Sequence, residues 1–254
     1  MPVPVRTHHK SLEDYREIIG DEKADEILNL AEPLKGARVL HLNATAFGGG
    51  VAELLNSIVP LMNELGIHTY WQAMDGSEDF FNYTKLLHNG LQGMPVHWSP
   101  HMAKVWKAVN QANAEALIGD YDFIIVHDPQ PAGLLHYLRE QSNITHSGIG
   151  ASNAKWIWRC HLDTTAATPQ VWDFLHPYIE IYDAVIFTRQ EYVRPDIKNP
   201  FIYLIPPAID PLSPKNNEVK EEKIKEILDH YEIDGDRPII SQVSRFDPWK
   251  DPWG

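Results

Sequence analysis

The segment ARVLHLNATAFGGGVAEL, residues 37–54, decides the fold because it joins a strand pattern to a helix pattern across a glycine-rich turn. Residues 37–42 are mostly apolar and predict a buried strand, whereas residues 51–65 have the apolar period of an amphipathic helix. Glu53 stands where a dinucleotide fingerprint would have its third glycine, so that motif is incomplete. The glycines would let a ligand approach the backbone at the helix N-terminus, and a tight turn without a ligand is the alternative. They are Gly48, Gly49 and Gly50.

The same alternation of strand and helix patterns continues along most of the chain. Strand-type segments lie at residues 37–42, 67–74, 123–126, 155–160, 184–187, 201–205 and 238–243. Helical periods lie at residues 51–65, 101–118, 131–140, 169–181 and 218–230. This order predicts an α/β fold, in which helices cover both faces of a parallel sheet.

Two further segments bound the domains. Residues 12–34 predict an acidic helix, which Pro33 and Gly36 end. Residues 206–214 contain four prolines, which forbid regular structure and predict an extended connector between domains. We therefore expect one domain over residues 1–214 and the start of a second over residues 215–254.

The composition excludes several classes of protein. The 254 residues include 35 acidic and 22 basic side chains, and a net charge of -13 argues against a general nucleic-acid binder. A single cysteine, Cys160, excludes internal disulfides and multi-thiolate metal sites and fits a reducing, cytoplasmic location. No apolar run approaches the roughly 20 residues of a membrane helix, and the N-terminus has no signal-peptide pattern.

Candidate ligand-binding residues follow the predicted strands, where open parallel sheets bind ligands. Asp128 comes directly after residues 123–126, and the prolines beside it would start a helix and leave its carboxylate pointing outward. That carboxylate could grip sugar hydroxyls or cap the helix. Strand alternation places Arg159, His161 and Asp163 on one side and Cys160 on the other, so a cysteine–histidine nucleophile pair is disfavoured.

The last candidate pair is basic. Arg245 and Lys250 follow the final predicted strand, and a guanidinium and an ammonium there suit a phosphate or diphosphate. Two exposed surface cations would give the same pattern, so the interpretation of this pair as a phosphate site depends on the rest of the chain.

Two other kinds of site have partial support in the sequence. The Asp-x-Asp strings at residues 120–122 and 234–236 precede strands and so lie at the wrong edge of the sheet, which predicts no metal site. A nicotinamide dinucleotide site would use the glycine turn with Asp75 on the ribose, although the missing third glycine counts against it.

Five motifs in the same order resemble one enzyme family. They are FGGGVAE (47–53), VHDPQP (126–131), WRCHLD (158–163), PPAIDPLS (206–213) and QVSRFDPWK (242–250). Together they resemble trehalose synthases of the glycosyltransferring type, which are retaining GT-B glycosyltransferases of the family 4 type, close to fungal-type trehalose phosphorylases. The resemblance extends from about residue 10 to the end of the sequence.

The resemblance implies a fold, a reaction and residue roles. It implies the N-terminal, acceptor-side Rossmann-like half of two facing domains, and transfer of glucose from a nucleoside diphosphate glucose to glucose without metal or cofactor. Asp128 and His161 would line the sugar pocket, and Gly49 and Gly50 would approach the donor diphosphate or the acceptor. Arg245 and Lys250 would clamp the diphosphate and stabilise its charge as it leaves. A phosphorylase and a non-catalytic sugar-binding domain stay as alternatives.

The sequence departs from the family in length. The donor-nucleotide domain would lie almost wholly beyond Gly254, so we expect this chain to be inactive on its own. The strand predicted at residues 238–243 would then have a free edge, and a homodimer through that edge is a further expectation.

Overall fold

The computed structural model describes residues 1–145, 154–244 and 250–251, with the side chains of residues 142–145 left out. The chain divides into two compact units, Met1–Asp210 and Pro211–Gly254. The first unit contains the sheet and the candidate ligand-binding residues that follow its strands. The second unit contains one helix, a 3-10 turn and irregular chain.

A seven-stranded sheet forms the centre of the first unit, in the order β1-β3-β2-β4-β5-β6-β7. Neighbouring strands are parallel except the short β1, which pairs antiparallel with β3. The strands are β1 Val3–Pro4, β2 Arg38–Asn43, β3 His68–Ala73, β4 Phe123–His127, β5 Lys155–Arg159, β6 Ala184–Phe187 and β7 Ile202–Leu204. The predicted α/β sheet is confirmed, with one antiparallel edge strand that the sequence pattern did not indicate.

Eight helices lie along the described chain. They are α1 Glu13–Ile19, α2 Asp21–Ala31, α3 Gly50–Glu64, α4 Glu78–Leu91, α5 Pro100–Glu115, α6 Leu134–Thr145, α7 Pro169–Ile179 and α8 Glu221–His230. Within the described residues, no helix combines the length and apolar character that crossing a bilayer requires.

Strand alternation divides the core between the two faces of the sheet. One face carries large buried side chains of β2, β4, β5 and β6, which pack against α4, α5, α6 and α7. These are Leu40, Leu42, Ile124, Val126, Trp156, Trp158, Val185 and Phe187. On the other face, Val39 packs with Ala31 at the end of α2, and Trp71 packs against α3. Helices therefore cover both faces, and the carboxyl ends of β2, β4 and β5 lie side by side.

Two expectations from the sequence are wrong, and one helix was not predicted. Residues 12–34 form α1, α2 and a 3-10 turn, because Gly20 breaks the helix with a φ of 80°. Helix α4 was missed, although Ser77 caps it by accepting a hydrogen bond from the Phe80 amide. Residues 238–243 form no strand, and the described residues of their own unit contain no strand with which they could pair.

The segment at residues 238–243 is irregular and exposed. The exposed fractions of Ile240 and Val243 are 101% and 99%, and that of Ile239 is 50%. The free strand edge expected at this point is therefore absent from the structure. The edge strand at the other side of the sheet from β1 is β7, whose three residues are all exposed.

The packing of α4 against α7 gives a stability prediction. A Cβ added at Gly90 would lie 2.6 Å from Cγ2 of Val96 and 2.7 Å from Cγ2 of Val171. Gly90→Ala is therefore expected to lower the free energy of unfolding by about 1–3 kcal/mol through overpacking. Gly50→Ala is the matched control, because a Cβ added there meets nothing within 4 Å. Urea unfolding of both variants measures the effect, and equal midpoints would contradict it.

Candidate active site

Three histidines line the sheet where β2, β4 and β5 end. His41 lies in β2, His127 is the last residue of β4, and His161 follows β5 by two residues. Nδ1 of His41 is 2.9 Å from Nε2 of His127, and Nδ1 of His127 is 2.9 Å from Nε2 of His161. The neighbouring ring planes are inclined by 28° and 18°. The three imidazoles therefore form one continuous hydrogen-bonded row.

The row is held in its uncharged form. Burial, followed by the positive charge of Arg159, lowers the pKa of His41 and of His161 to about 3. Burial also holds the pKa of His127 well below its ordinary value, with smaller contributions from the two flanking histidines and Arg159. At neutral pH, each ring therefore carries a single hydrogen and can donate at one nitrogen and accept at the other.

Asp128 lies beside the row and is bound on three sides. Its backbone N–H donates to the carbonyl of Arg159 at 2.9 Å, and its own carbonyl accepts from the Trp158 indole at 2.9 Å. Oδ1 of its carboxylate accepts from the backbone N–H of His161 at 2.8 Å. These contacts hold Asp128 at a φ of 65°, a left-handed conformation that is uncommon for a residue other than glycine.

The environment of Asp128 changes its acid chemistry. The residue is 9% exposed, and burial raises the pKa of its carboxyl to about 7 against the opposing effects of the His161 amide and Arg159. The expectation that this carboxylate points outward is wrong, because it turns to the backbone of His161. The neighbouring prolines do not start a helix either, since α6 begins three residues after Pro131.

The loop after Asp128 is fixed from beneath by α5. The Trp106 indole donates to the carbonyl of Pro129 at 3.1 Å, and the Asn110 amide donates to the carbonyl of Gln130 at 2.9 Å. Oδ1 of Asn110 also accepts from the backbone N–H of Gly133 at 3.1 Å. The buried face of α5 thus determines the position of the loop that contains Asp128.

The glycine turn follows the carboxyl end of β2, at the same end of the strands as the three histidines. Asn43 accepts from the Trp71 indole at 2.8 Å and donates to the carbonyl of Thr45 at 2.8 Å, which fixes the start of the turn. Position 48 favours glycine because its φ of 76° is strained for other residues. A Cβ added at Gly48, Gly49 or Gly50 meets nothing within 4 Å. Phe47 beside them is 80% exposed. The turn therefore faces open space, and its role as a ligand cradle stays a prediction.

The other predicted site residues are placed differently. Arg159 is half-buried at the end of β5. Its positive charge helps to lower the pKa of His161. Asp163 is exposed, and its Oδ1 accepts from the backbone N–H and the hydroxyl of Thr165, at 2.9 Å and 2.5 Å. Its carboxylate is thus used within its own turn. Cys160 is buried and burial raises the pKa of its thiol, which confirms it as a small core residue.

Of the basic pair, the structure describes Lys250, in the second unit. Lys250 is exposed, and its carbonyl accepts from the Gln242 side chain at 2.5 Å. Arg245 lies outside the described residues. The expected diphosphate clamp therefore stays a prediction.

Two further observations concern the other kinds of site. Oδ2 of Asp75 is 2.8 Å from the N-terminal ammonium. The carboxylate that would bind the ribose in a nicotinamide dinucleotide site therefore already has a cationic neighbour. The parts of the chain that the structure describes hold no group of three histidine, cysteine or acidic side chains that could bind a metal ion.

The sequence interpretation missed His41 and His127 as members of the site. Each lies in an apolar strand, where a histidine is easily taken for a satisfied core residue. The signal in the sequence that could have found them is positional, because three histidines fall near the carboxyl ends of three predicted strands.

Comparison with known proteins identifies the family of this chain. The profile of the trehalose synthase N-terminal domain matches residues 41–194, more than half of the chain, and this range contains the three histidines and Asp128. The chain belongs to this family. It is 47% identical to a trehalose synthase of Rubrobacter xylanophilus over 98% of the chain and 59% of that protein. It is 43% identical to a trehalose synthase of Pyrococcus furiosus over 95% of the chain and 56% of that protein.

More distant relatives extend the comparison. A trehalose phosphorylase of Pleurotus pulmonarius is 25% identical over 94% of the chain and 36% of its own length. A solved trehalose-6-phosphate synthase superposes with a TM-score of 0.53 at 15% identity, over 77% of this chain and 55% of that one. This likeness confirms the predicted fold, a Rossmann-like half of the GT-B type. The chain spans less than two thirds of the length of these relatives.

Proposed function

We propose that this chain is the acceptor-side half of a retaining glycosyltransferase that makes trehalose from a nucleoside diphosphate glucose and glucose. The observation that carries the proposal is the pairing of His161 with Asp128 at the carboxyl ends of β4 and β5, in a trehalose synthase family domain. Both groups are partly enclosed and hydrogen-bonded by the protein, as a site for sugar hydroxyls requires.

The charge state of the site suits an uncharged sugar. His161 is neutral, and Asp128, with a pKa of about 7, can either accept or donate a hydrogen bond near neutral pH. Both groups can therefore bind hydroxyl oxygens or hydroxyl hydrogens, and near pH 7 Asp128 carries its negative charge in about half of the molecules. The fixed positive charge beside them belongs to Arg159.

The transfer step follows from retention without a carboxylate nucleophile. The bond between the anomeric carbon and the leaving phosphate oxygen breaks, and a bond from that carbon to the acceptor hydroxyl oxygen forms on the same face. The acceptor proton passes to the leaving phosphate. Arg245 and Lys250 would stabilise the negative charge that develops on the diphosphate.

The domain division is part of the same proposal. Residues 1–214 would form the acceptor-side domain, and residues 215–254 the start of the donor-nucleotide domain. The relatives are longer than this chain, which spans 59% of the Rubrobacter xylanophilus protein. We therefore expect residues 1–254 alone to bind glucose in the cytoplasm without transferring it, and a homodimer of this chain stays a prediction.

One alternative has an observation in its favour. The trehalose phosphorylase of Pleurotus pulmonarius matches 94% of the chain, and phosphate in place of the nucleotide would use the same cations. Its lower identity, 25% against 47% for the Rubrobacter xylanophilus trehalose synthase, favours the synthase.

A donor screen on the complete gene product tests the proposal. UDP-, ADP- and GDP-glucose are each offered with glucose, and trehalose is measured by chromatography. A parallel reaction offers trehalose and inorganic phosphate. We expect trehalose from at least one nucleotide donor and no phosphate-dependent cleavage. Cleavage by phosphate without any synthesis from nucleotide donors would establish the phosphorylase, and glucose binding by residues 1–254 in calorimetry checks the acceptor site separately.

A further inference from the structure

The row of three histidines has only two consistent arrangements of its hydrogens. In the first, His41 donates from Nδ1 to His127, and His127 donates from Nδ1 to His161, which leaves the third hydrogen on Nδ1 of His161. In the second, every hydrogen bond is reversed, and Nδ1 of His161 presents a lone pair. Since each neutral ring carries one hydrogen, the choice at one end of the row determines the choice at the other.

The inner end of the row distinguishes the two arrangements. Nε2 of His41 is enclosed in the protein and has no hydrogen-bond partner among the described residues. The first arrangement leaves a lone pair at this atom, whereas the second leaves an N–H group. Buried N–H groups without an acceptor are the rarer defect in proteins, and a buried acceptor without a donor is tolerated more often. The first arrangement is therefore favoured.

The outer end of the row is open. Nε2 of His161 contacts His127 and its backbone N–H contacts Asp128, while Nδ1 has no hydrogen-bonding neighbour in the described chain. His161 is also less buried than the other two rings. Its Nδ1 is thus the one ring nitrogen of the row that can reach a ligand.

We propose that His127 is a positioning residue which, with His41 behind it, fixes the hydrogen of His161 on Nδ1, so that His161 offers a ligand an N–H donor. The ligand is an oxygen acceptor, and on the function proposed above it is a sugar hydroxyl oxygen. A histidine without such a neighbour takes the tautomer that its surroundings allow, because the hydrogen bond at one nitrogen decides which nitrogen is protonated.

Nitrogen NMR of the ligand-free chain tests this proposal. The 254-residue protein is labelled with ¹⁵N-histidine, and the rings are assigned by single substitutions of the three histidines. We expect a protonated, pyrrole-type signal from Nδ1 of His161 and an unprotonated, pyridine-type signal from its Nε2. The same pattern is expected for His127 and His41. A protonated Nε2 on His161 would overturn the proposal.

Two substitutions at one position separate tautomer control from packing. His127→Phe keeps a ring but removes the donor to His161, so the Nδ1 hydrogen of His161 is expected to move partly or wholly to Nε2. His127→Asn places an amide donor near the position of Nδ1 and is expected to retain the wild-type signals. An unchanged His161 pattern in a folded His127→Phe protein would also overturn the proposal. The wild-type spectrum keeps the test decisive if either variant fails to fold.

A glucose titration separates this inference from the proposed function. Glucose binding is expected to shift the Nδ1 signal of His161 more than the signals of His41. Nδ1-protonated His161 without any glucose response would contradict the sugar site and leave the tautomer assignment standing. A glucose response of a His161 that is protonated at Nε2 would support the sugar site and overturn the tautomer assignment.

Discussion

Replacing His161 with alanine is expected to lower the rate of trehalose formation by the complete gene product by about 100-fold, the usual effect of removing one oriented donor from an active site. The imidazole lies at the open end of the histidine row and is held neutral, so it can donate to an oxygen without adding charge. Steady-state kinetics with a nucleotide donor and varied glucose measure the loss.

Two further variants make this prediction specific. His161→Asn keeps an N–H donor near the position of Nδ1 and is expected to retain more activity than the alanine variant. His68→Ala is the control, because that histidine is exposed at the start of β3, at the opposite end of the parallel strands from the histidine row. Equal rates for His161→Ala and His68→Ala would contradict a role for His161 in transfer.

The fold could be predicted because its signals are local. The apolar strands and amphipathic helices of residues 37–204 have their own periodicities, and alternation of the two implies a parallel sheet. The failures also have local causes. Gly20 breaks a helix whose apolar period continues past it. Residues 238–243 have a strand composition, but the described part of their own unit contains no strand to pair with.

The site was predicted only in part because its geometry depends on the order of the strands. Asp128 and His161 could be found since each follows a strand directly. The row that connects His161 to His127 and His41 requires β2, β4 and β5 to be neighbours in the sheet, although β3 lies between β2 and β4 in the sequence. Spacing along the chain does not contain that information. The inward turn of the Asp128 carboxylate likewise depends on β5, whose extension supplies the His161 amide.

The second large effect concerns the pH dependence of stability. Asp128→Asn is expected to raise the free energy of unfolding at about pH 8, relative to the wild type, by up to about 4 kcal/mol more than at about pH 4. Burial raises the pKa of Asp128 from 3.8 to about 7 in the folded protein, so the folded state binds its proton more tightly than the unfolded state. The wild type therefore keeps this stabilisation below pH 3.8 and loses it as the pH rises to 7.

The comparison with Asp128→Asn isolates this carboxyl from its neighbours. The pKa of His161 is lowered from 6.5 to about 3, so its contribution to stability has the opposite slope and is lost as the pH falls below 6.5. Both proteins contain the histidine row, and subtracting their urea-unfolding free energies at each pH cancels that slope. Asparagine can still accept the hydrogen bond from the His161 amide. A difference that stays constant with pH would mean that Asp128 titrates as an ordinary carboxyl, and the proposed sugar site would then hold a negative charge at neutral pH.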